Sequence, residues 1–504
     1  MAVDSKHPLY GEQEPLWEQC RDTHKGEQTV KAKGRTYLSP TSGMVADGMA
    51  NALAPGSLAY AAYLKRAVLP DLVKDAVNAM LGVMHHKPPT IELPAAMEPL
   101  REVSTLRNES LDMLLRRINE EQLITGRLGL LTDIPKSPTA ASGAVQASAV
   151  TTTASDLPYI ALYEGEQIIN WDDGRRDGIE VQNLNLVVLD ETEFERDASF
   201  EWTEEKKYRV LILGEVNENE PQGTGTYRVG TFRDGADFSD TDLIEPSFRG
   251  KTLSHIPFTF INSADIVADP DQPPLLGLSN LVLTIYRGEA DYRQALFMQG
   301  QDTLVISGGG EQDGEVRIGA GGRLDLPMGA KAEFIGVTSD GLVELRTSLE
   351  NDYARGAQKG GQLMDSVSRE RESGDALKIR VAARTATLNQ IALTGAYGLQ
   401  HTLRTIAVWI GANPEEVIVT PNLDFVDDNF SPDDLVKMVS ARNLGAPISM
   451  ETIHLWLQAK DVTDLDFEEE VAKIGEEELL GIGSQSSEDL PEDEDEDEDP
   501  DEDA

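Results

Sequence analysis

A block of short β-rich runs ends near Ile261, and two long helical patterns with a glycine-rich insert between them follow it. The first helical pattern covers Leu276 to Gln299, the insert runs from about Val305 to Gly341, and helical sequence resumes at Leu342. That order is restrictive. A long helix, a compact excursion and a second long helix make a hairpin with a β-rich tip, and such a hairpin encloses too little apolar volume to stand alone. It needs neighbours, and a ring of identical copies supplies them. The pattern points to an assembling structural protein rather than a soluble enzyme.

The chain has 504 residues, enough for roughly two to four domains. Its apolar content of 40% suits a globular protein and excludes wholesale disorder. Net charge is the outlier, at -45 from 89 acids against 44 bases. Thirteen acids and no base lie between Glu488 and Asp503, which leaves about -32 on the rest. A field of one sign repels nucleic acid and anionic membranes, so a DNA-gripping basic groove is disfavoured while passage of DNA past a repelling wall is not. Cys20 is the only cysteine, which rules out an intramolecular disulfide and a cysteine zinc site. Met1 to Pro15 is polar and no run of about 18 apolar residues occurs. The expectation is a soluble protein made in a reducing cytoplasm, with no membrane partner.

The N-terminal third reads helical. Tyr60 to Val68 begins an amphipathic segment that Pro70 restarts, and Leu72, Val73, Ala76, Val77, Met80 and Leu81 recur at helical spacing. His86 to Pro99 reads as an extended, proline-rich connector, and a further helix is expected from Leu100 to Thr125 with Leu106, Leu111, Leu114, Leu115 and Ile118 on its stripe. Pro135 to Pro158 is a Ser/Thr/Ala linker. Then Tyr159–Tyr163, Gln167–Trp171, Leu184–Leu189, Tyr208–Leu213 and Thr226–Phe232 suggest one antiparallel sheet of five or more strands, closed by Phe258–Ile261. Leu278, Leu281, Ile285, Tyr292 and Leu296 form the stripe of the first long helix. Gly288 near its middle costs about 1 kcal/mol against alanine and so implies close packing. Lys359 to Gly374 reads as a polar loop, and Asp375 to Ile410 as a long helix with Ser373 as a candidate cap. Gly395 and Gly398 inside that helix mark a kink or close crossing. Helix starts follow at Ser431-Pro432-Asp433-Asp434 and Ser449, and the acidic tail 488–504 is expected to be disordered because like charges repel.

Several consecutive stretches resemble the portal (head-to-tail connector) proteins of tailed bacteriophages, specifically a divergent family formerly known only as a domain of unknown function. They are Val30-Lys31-Ala32-Lys33-Gly34 with Tyr37-Leu38, Lys87-Pro88-Pro89-Thr90-Ile91-Glu92-Leu93-Pro94, and Gly126-Arg127-Leu128-Gly129-Leu130-Leu131-Thr132-Asp133. Tyr159 to Trp171, Ile256-Pro257-Phe258 and Pro274-Leu275-Leu276 to Tyr292-Arg293 extend the match, which spans Pro8 to Gly411. The resemblance implies an α+β portal fold. Its parts would be a helical N-terminal part of the wing (1–134), the linker (135–158) and a β-rich wing (159–275). Stem helices (276–299 and 342–358) would flank a β clip (300–341), followed by a tunnel loop (359–374) and a kinked long helix (375–411). A helical crown region (412–487) and the acidic tail would complete the chain. The same resemblance implies a homo-oligomeric ring of about twelve subunits at the capsid vertex, through which double-stranded DNA is packaged and ejected. Its expected partners are the terminase large subunit, head–tail connector or adaptor proteins, the major capsid protein and a scaffold.

The expected chemistry is contact, not catalysis. Lys359, Arg369, Arg371, Lys378 and Arg380 are the candidate DNA-channel cations, with solvated side chains or intersubunit ion pairs as the plainer alternative. Gly250-Lys251-Thr252 mimics the end of a phosphate-binding loop, but Glu245 stands where its first glycine belongs and would repel phosphate. His85-His86 lacks a second cluster, and Asp172-Asp173 and Asp464 with Asp466 read as a turn and a solvated helix end. No catalytic residue, metal or cofactor is therefore expected. Another oligomeric virion component of the tail or baseplate is the alternative, and a hydrolase using the clustered acids is a remote third.

Overall fold

Apolar spacing in the N-terminal part forms helices: those between Glu27 and Met84 share one core, while the first joins the core of the β-rich part through Tyr10 and Trp17. The computed structural model describes residues 3–135, 157–174, 184–213, 225–235, 238–299, 303–308, 329–335, 340–361, 374–423, 425, 432–459, 462–463 and 465–479. In it the chain opens with α1 (Pro8–Lys25), α2 (Glu27–Ala32), α3 (Ser42–Ala46), α4 (Pro55–Arg66) and α5 (Leu72–Met84). The expected face of α5 is buried, with Val73, Ala76, Val77, Met80 and Leu81 inside. The short strand β1 (Thr90–Glu92) and a 3-10 turn at Ala95–Arg101 occupy the proline-rich connector.

The expected helix from Leu100 to Thr125 is not continuous. Helix α6 spans only Leu111–Ile124, and Leu106 is 70% exposed, off the buried stripe. A turn interrupts the pattern. Asn108 adopts φ +59, Ser104 N donates to the Glu109 carbonyl at 2.8 Å, and the Ser110 hydroxyl then caps α6 by accepting from Met113 N. Directly after α6 comes β2 (Arg127–Asp133), a strand inside the stretch expected to be helical.

The β-rich middle divides into β3 (Tyr159–Glu164), β4 (Ile168–Asp172), β5 (Leu186–Asp190), β6 (Glu193–Arg196), β7 (Trp202–Glu205), β8 (Lys207–Leu213), β9 (Tyr227–Arg233) and β10 (Phe258–Asn262). The expected single sheet is instead a three-stranded sheet, β10-β2-β3, and a four-stranded sheet, β4-β5-β8-β9, both antiparallel, beside a separate β6–β7 pair. Pleating explains the split. On β2, Leu128 and Leu130 point into a core shared with α6, while Leu131 joins Phe258 and Phe260 against Val187, Leu189 and Leu211 of the larger sheet. The small sheet is thus a middle layer, covered on both faces. Arg127 pins it to the larger one: its guanidinium lies 4.5 Å from the Trp171 ring centroid and 4.6 Å from that of Phe260, and donates to Ala268 O at 2.7 Å. Burial pushes this guanidinium down to about 9.

Helix α7 (Leu276–Gln299) leads to β11 (Thr303–Ser307), β12 (Lys331–Ile335), α8 (Asp340–Gly361) and α9 (Gly374–Ile410). Both interior glycines of α9 mark close crossings. A Cβ on Gly395 would stand 2.5 Å from Asn119 Nδ2, and one on Gly398 would stand 2.4 Å from Ile261 Cδ1. After α9, β13 (Ile418–Thr420) pairs with β1. The chain divides into two compact units, Met1–Phe425 and Val426–Ala504. The second contains α10 (Pro432–Asn443), α11 (Met450–Ala459), capped by Ser449, and α12 (Phe467–Leu479). The linker beyond Pro135, Ser373 and the acidic tail lie outside the described residues. Among the described residues no helix is long and apolar enough to cross a membrane.

Candidate assembly hairpin

The two long helices that the sequence sets on either side of a glycine-rich insert do form one antiparallel hairpin. At its base the Lys359 ammonium lies 3.6 Å from where a Cβ on Gly277 would stand. Further along, Gly356 faces Ile285, and the Leu349 side chain fills the notch at Gly288, where a Cβ would be 2.9 Å from Leu349 Cδ2. The close packing implied by Gly288 is present, and Leu349 is its partner. At the far end β11 and β12 pair antiparallel, with Thr303 opposite Ile335 and Ser307 opposite Lys331. At about 1.5 Å per residue, the 24 residues of α7 span about 36 Å.

Burial changes along this length. Near the base, Leu278, Val282, Leu283, Ile285, Tyr286 and Ala290 are enclosed by the N-terminal helices. Tyr63 donates to Asp291 at 2.6 Å, and Tyr353 on α8 donates to the buried Glu289 at 3.1 Å. Burial and the Glu289 carboxylate push the Tyr353 phenol up to about 12. Toward the tip the enclosure ends. Leu296, Phe297 and Met298 are 42%, 43% and 53% exposed, and on α8 Val343 is 62% exposed. Leu296, expected on the buried stripe, is therefore partly at the surface; the body reaches this end through Arg66 of α4, whose guanidinium lies 4.2 Å from the Phe297 ring centroid.

The five candidate channel cations do not share one loop. Helix α8 runs to Gly361, so Lys359 is helical; Ala357, Gln358 and Lys359 are all good helix formers. It is exposed and has no ion-pair partner among the described residues. Lys378 and Arg380 lie on the first turns of α9, and their side chains fall outside the described ones. Arg369 and Arg371 lie outside the described residues altogether.

The other sequence candidates sit in structural roles. Gly250 (φ +79) belongs to a tight turn closed by Phe248 and Lys251, whose ammonium donates to Val408 O on α9. This turn leads to no helix N-terminus and so offers no phosphate cradle. His85 bonds Asn119 at 2.9 Å while His86 bonds Asn422 at 3.2 Å, so the pair points apart. Asp172 Oδ1 accepts from Gly174 N at 2.9 Å, which makes an Asx turn at the end of β4. Asp464 lies outside the described residues, and Asp466 precedes α12. Sequence reading missed β2 and the β6–β7 hairpin, although Phe194 and Trp202 alternate with polar residues on either side of Asp197-Ala198-Ser199.

A sequence family described as a domain of unknown function, DUF4055, matches residues 274–410, which is the hairpin together with α9. No curated protein matches the chain. Two solved structures are similar to it: a chain from the neck of a native GTA particle computed with C12 symmetry, and one from the neck of an empty GTA particle computed with C6 symmetry. Each is 11% identical with a TM-score of 0.37 over 77% of this chain, covering 89% and 90% of the matched chains respectively. A likeness of that size does not establish a shared fold.

Proposed function

We propose that this chain is a virion structural protein of the portal type, assembling into a closed ring at a capsid vertex through which double-stranded DNA enters and leaves. One observation carries the reading. The α7–α8 hairpin is anchored in the body at its base and leaves Leu296, Met298 and Val343 partly uncovered toward its tip, at 42%, 53% and 62% exposure. Copies arranged about an axis cover those side chains with one another's, and the hairpins then wall a channel. The portal-like stretches from Pro8 to Gly411 support the same assignment.

In this reading the mechanism is geometric. The α7 and α8 segments carry six acids against five bases, so such a wall offers phosphates no deep electrostatic minimum and the duplex slides. Lys359, Arg369, Arg371, Lys378 and Arg380 contact the backbone transiently. The β11–β12 tip presents the docking surface for the terminase large subunit and later for head–tail connector proteins. Major capsid protein and scaffold meet the β-rich part, and the chain performs no chemistry of its own.

Electron microscopy of the purified full-length protein tests this. Closed rings of about a dozen copies with an open centre are expected. A monodisperse monomer or dimer across concentration and salt overturns the reading, and an oligomer without an axial channel favours a tail or baseplate component. Replacing Lys359, Arg369 and Arg371 by alanine changes DNA packaging or retention; unaltered genome content removes them from the channel.

A further inference from the structure

One strand pair stands off the sandwich. β6 and β7 are exposed at every position except Glu205. Pairing sorts their side chains onto two faces, Phe194, Arg196, Trp202 and Glu204 on one, Glu193, Glu195, Thr203 and Glu205 on the other. The second face is satisfied within the subunit. Lys207 Nζ lies 2.7 Å from Glu193 and 3.5 Å from Glu205 and also binds Glu195, while Arg233 pairs with Glu205 at 2.7 Å.

On the first face Arg196 stacks over the Phe200 ring, 5.1 Å from its centroid, and no ion pair among the described residues ties that face down. Phe194, Phe200 and Trp202 are 66%, 73% and 64% exposed, and Glu201 and Glu204 make no ion pair among the described residues. The turn is nonetheless preshaped: Asp197 Oδ1 accepts from Ser199 N at 2.8 Å and from Glu201 N at 2.9 Å, and Phe200 is held at φ +68. A lone two-stranded hairpin is marginal in water. Three large aromatics gathered on one make an interaction patch rather than scattered surface.

The occupant of that patch follows from charge and position. The turn before α6 and the outer face of α6 carry exposed apolar side chains beside two arginines, with Asp112 exposed among them. Leu106 and Met113 are 70% and 62% exposed, and Arg107 and Arg116 make no ion pair among the described residues. Met113 and Arg116 are one turn apart on the same helix face. Position agrees. Helix α6 covers one face of the β10-β2-β3 sheet and the four-stranded sheet, from which the β6–β7 arm extends, covers the other. Arm and α6 thus belong to different layers of one subunit, and a contact that joins two different surfaces of identical copies is head-to-tail.

We propose that the β6–β7 arm of each copy docks on α6 of the next copy in the ring. Phe194 and Trp202 pack on Leu106 and Met113, using the affinity of thioether sulfur for aromatic edges, and Glu201 and Glu204 meet Arg107 and Arg116. The contact rests on the ring reading above and adds its polarity: one surface gives and a different one receives.

The test is disulfide trapping in the full-length chain carrying Trp202→Cys and Met113→Cys, with the native Cys20 buried. Mild oxidation should yield a ladder of covalent oligomers up to the full ring, while either cysteine alone yields at most dimers. The pair Glu201→Lys and Glu204→Lys should raise the concentration needed for assembly at least about tenfold. Adding Arg107→Glu and Arg116→Glu should restore assembly, and unchanged unfolding of the variants shows that the subunit still folds. If the wild type forms rings but the Trp202→Cys, Met113→Cys chain gives no ladder, or if rings are indifferent to the charge reversal, the arm contact is overturned and the ring reading stands. A wild-type chain that forms no ring overturns both.

Discussion

The layered β body and the distal half of the α7–α8 hairpin use similar apolar residues to opposite ends. In the body, Leu128, Leu131, Phe258, Leu211 and Trp409 find partners inside the same chain and are almost wholly buried. Toward the hairpin tip, Leu296, Met298 and Val343 stay 42%, 53% and 62% exposed. Hydrophobic surface has the same tendency to leave water in both places. The body satisfies it by folding, whereas the hairpin can satisfy it only by association.

Breaking the body gives the largest effect. Trp409 is 1% exposed and its Nε1 donates to Lys251 O at 3.0 Å, so Trp409→Ala should cost about 3–5 kcal/mol of unfolding free energy in a urea titration. A change under about 1 kcal/mol would show that the α9 end is not part of the cooperative core. Next comes Gly398→Val. Its new Cβ would stand 2.4 Å from Ile261, and the overpacking should cost about 1–3 kcal/mol by the same measurement.

Acid sharpens the comparison, because the half-buried histidines lie in the body and α7 and α8 have none. His255 is held below the usual histidine range by burial first and by His401 second, and His401 is lowered by burial and then by Arg404. With folded values below unfolded ones, the unfolded chain binds more protons in acid. This contribution is fully present above a pH of about 6.5 and is lost as pH falls through the lowered folded values. The urea midpoint should therefore drop between pH 7 and 5, and His401→Asn should flatten that drop; an identical slope would remove the pair from the account.

The hairpin predicts the smallest stability change. Met298→Ser with Val343→Ser should move subunit unfolding by no more than about 0.5 kcal/mol per site, since neither side chain is enclosed. Sedimentation of the same variant should nevertheless show weakened assembly. Loss of stability without loss of association would reverse the comparison.

Much of the architecture was legible where one physical cause dominates. The face of α5, the length of α7 and the close crossings at Gly288, Gly395 and Gly398 follow from spacing and from residues without a Cβ. The misreadings have equally specific causes. Leu106 keeps helical spacing with Leu111, but the turn through Asn108 and Glu109 takes it out of the helix. β2 follows α6 with only Thr125 and Gly126 between, and it is buried on both faces, so its run of leucines lacks the alternation that marks a half-exposed strand. The glycines after Lys359 suggest a loop there, whereas α8 continues through Gly360 to Gly361.

By itself the sequence determined the order of elements, the acidic character and the existence of a hairpin too slender to fold alone, because periodicity and charge are local properties of a chain. Only the tertiary structure decided that the strands form two sheets with β2 at the centre. It alone also separated the leucines enclosed near the hairpin base from those exposed toward its tip, and left the β6–β7 arm exposed. Those outcomes depend on which surfaces distant segments cover, and no local pattern encodes what will lie across from it.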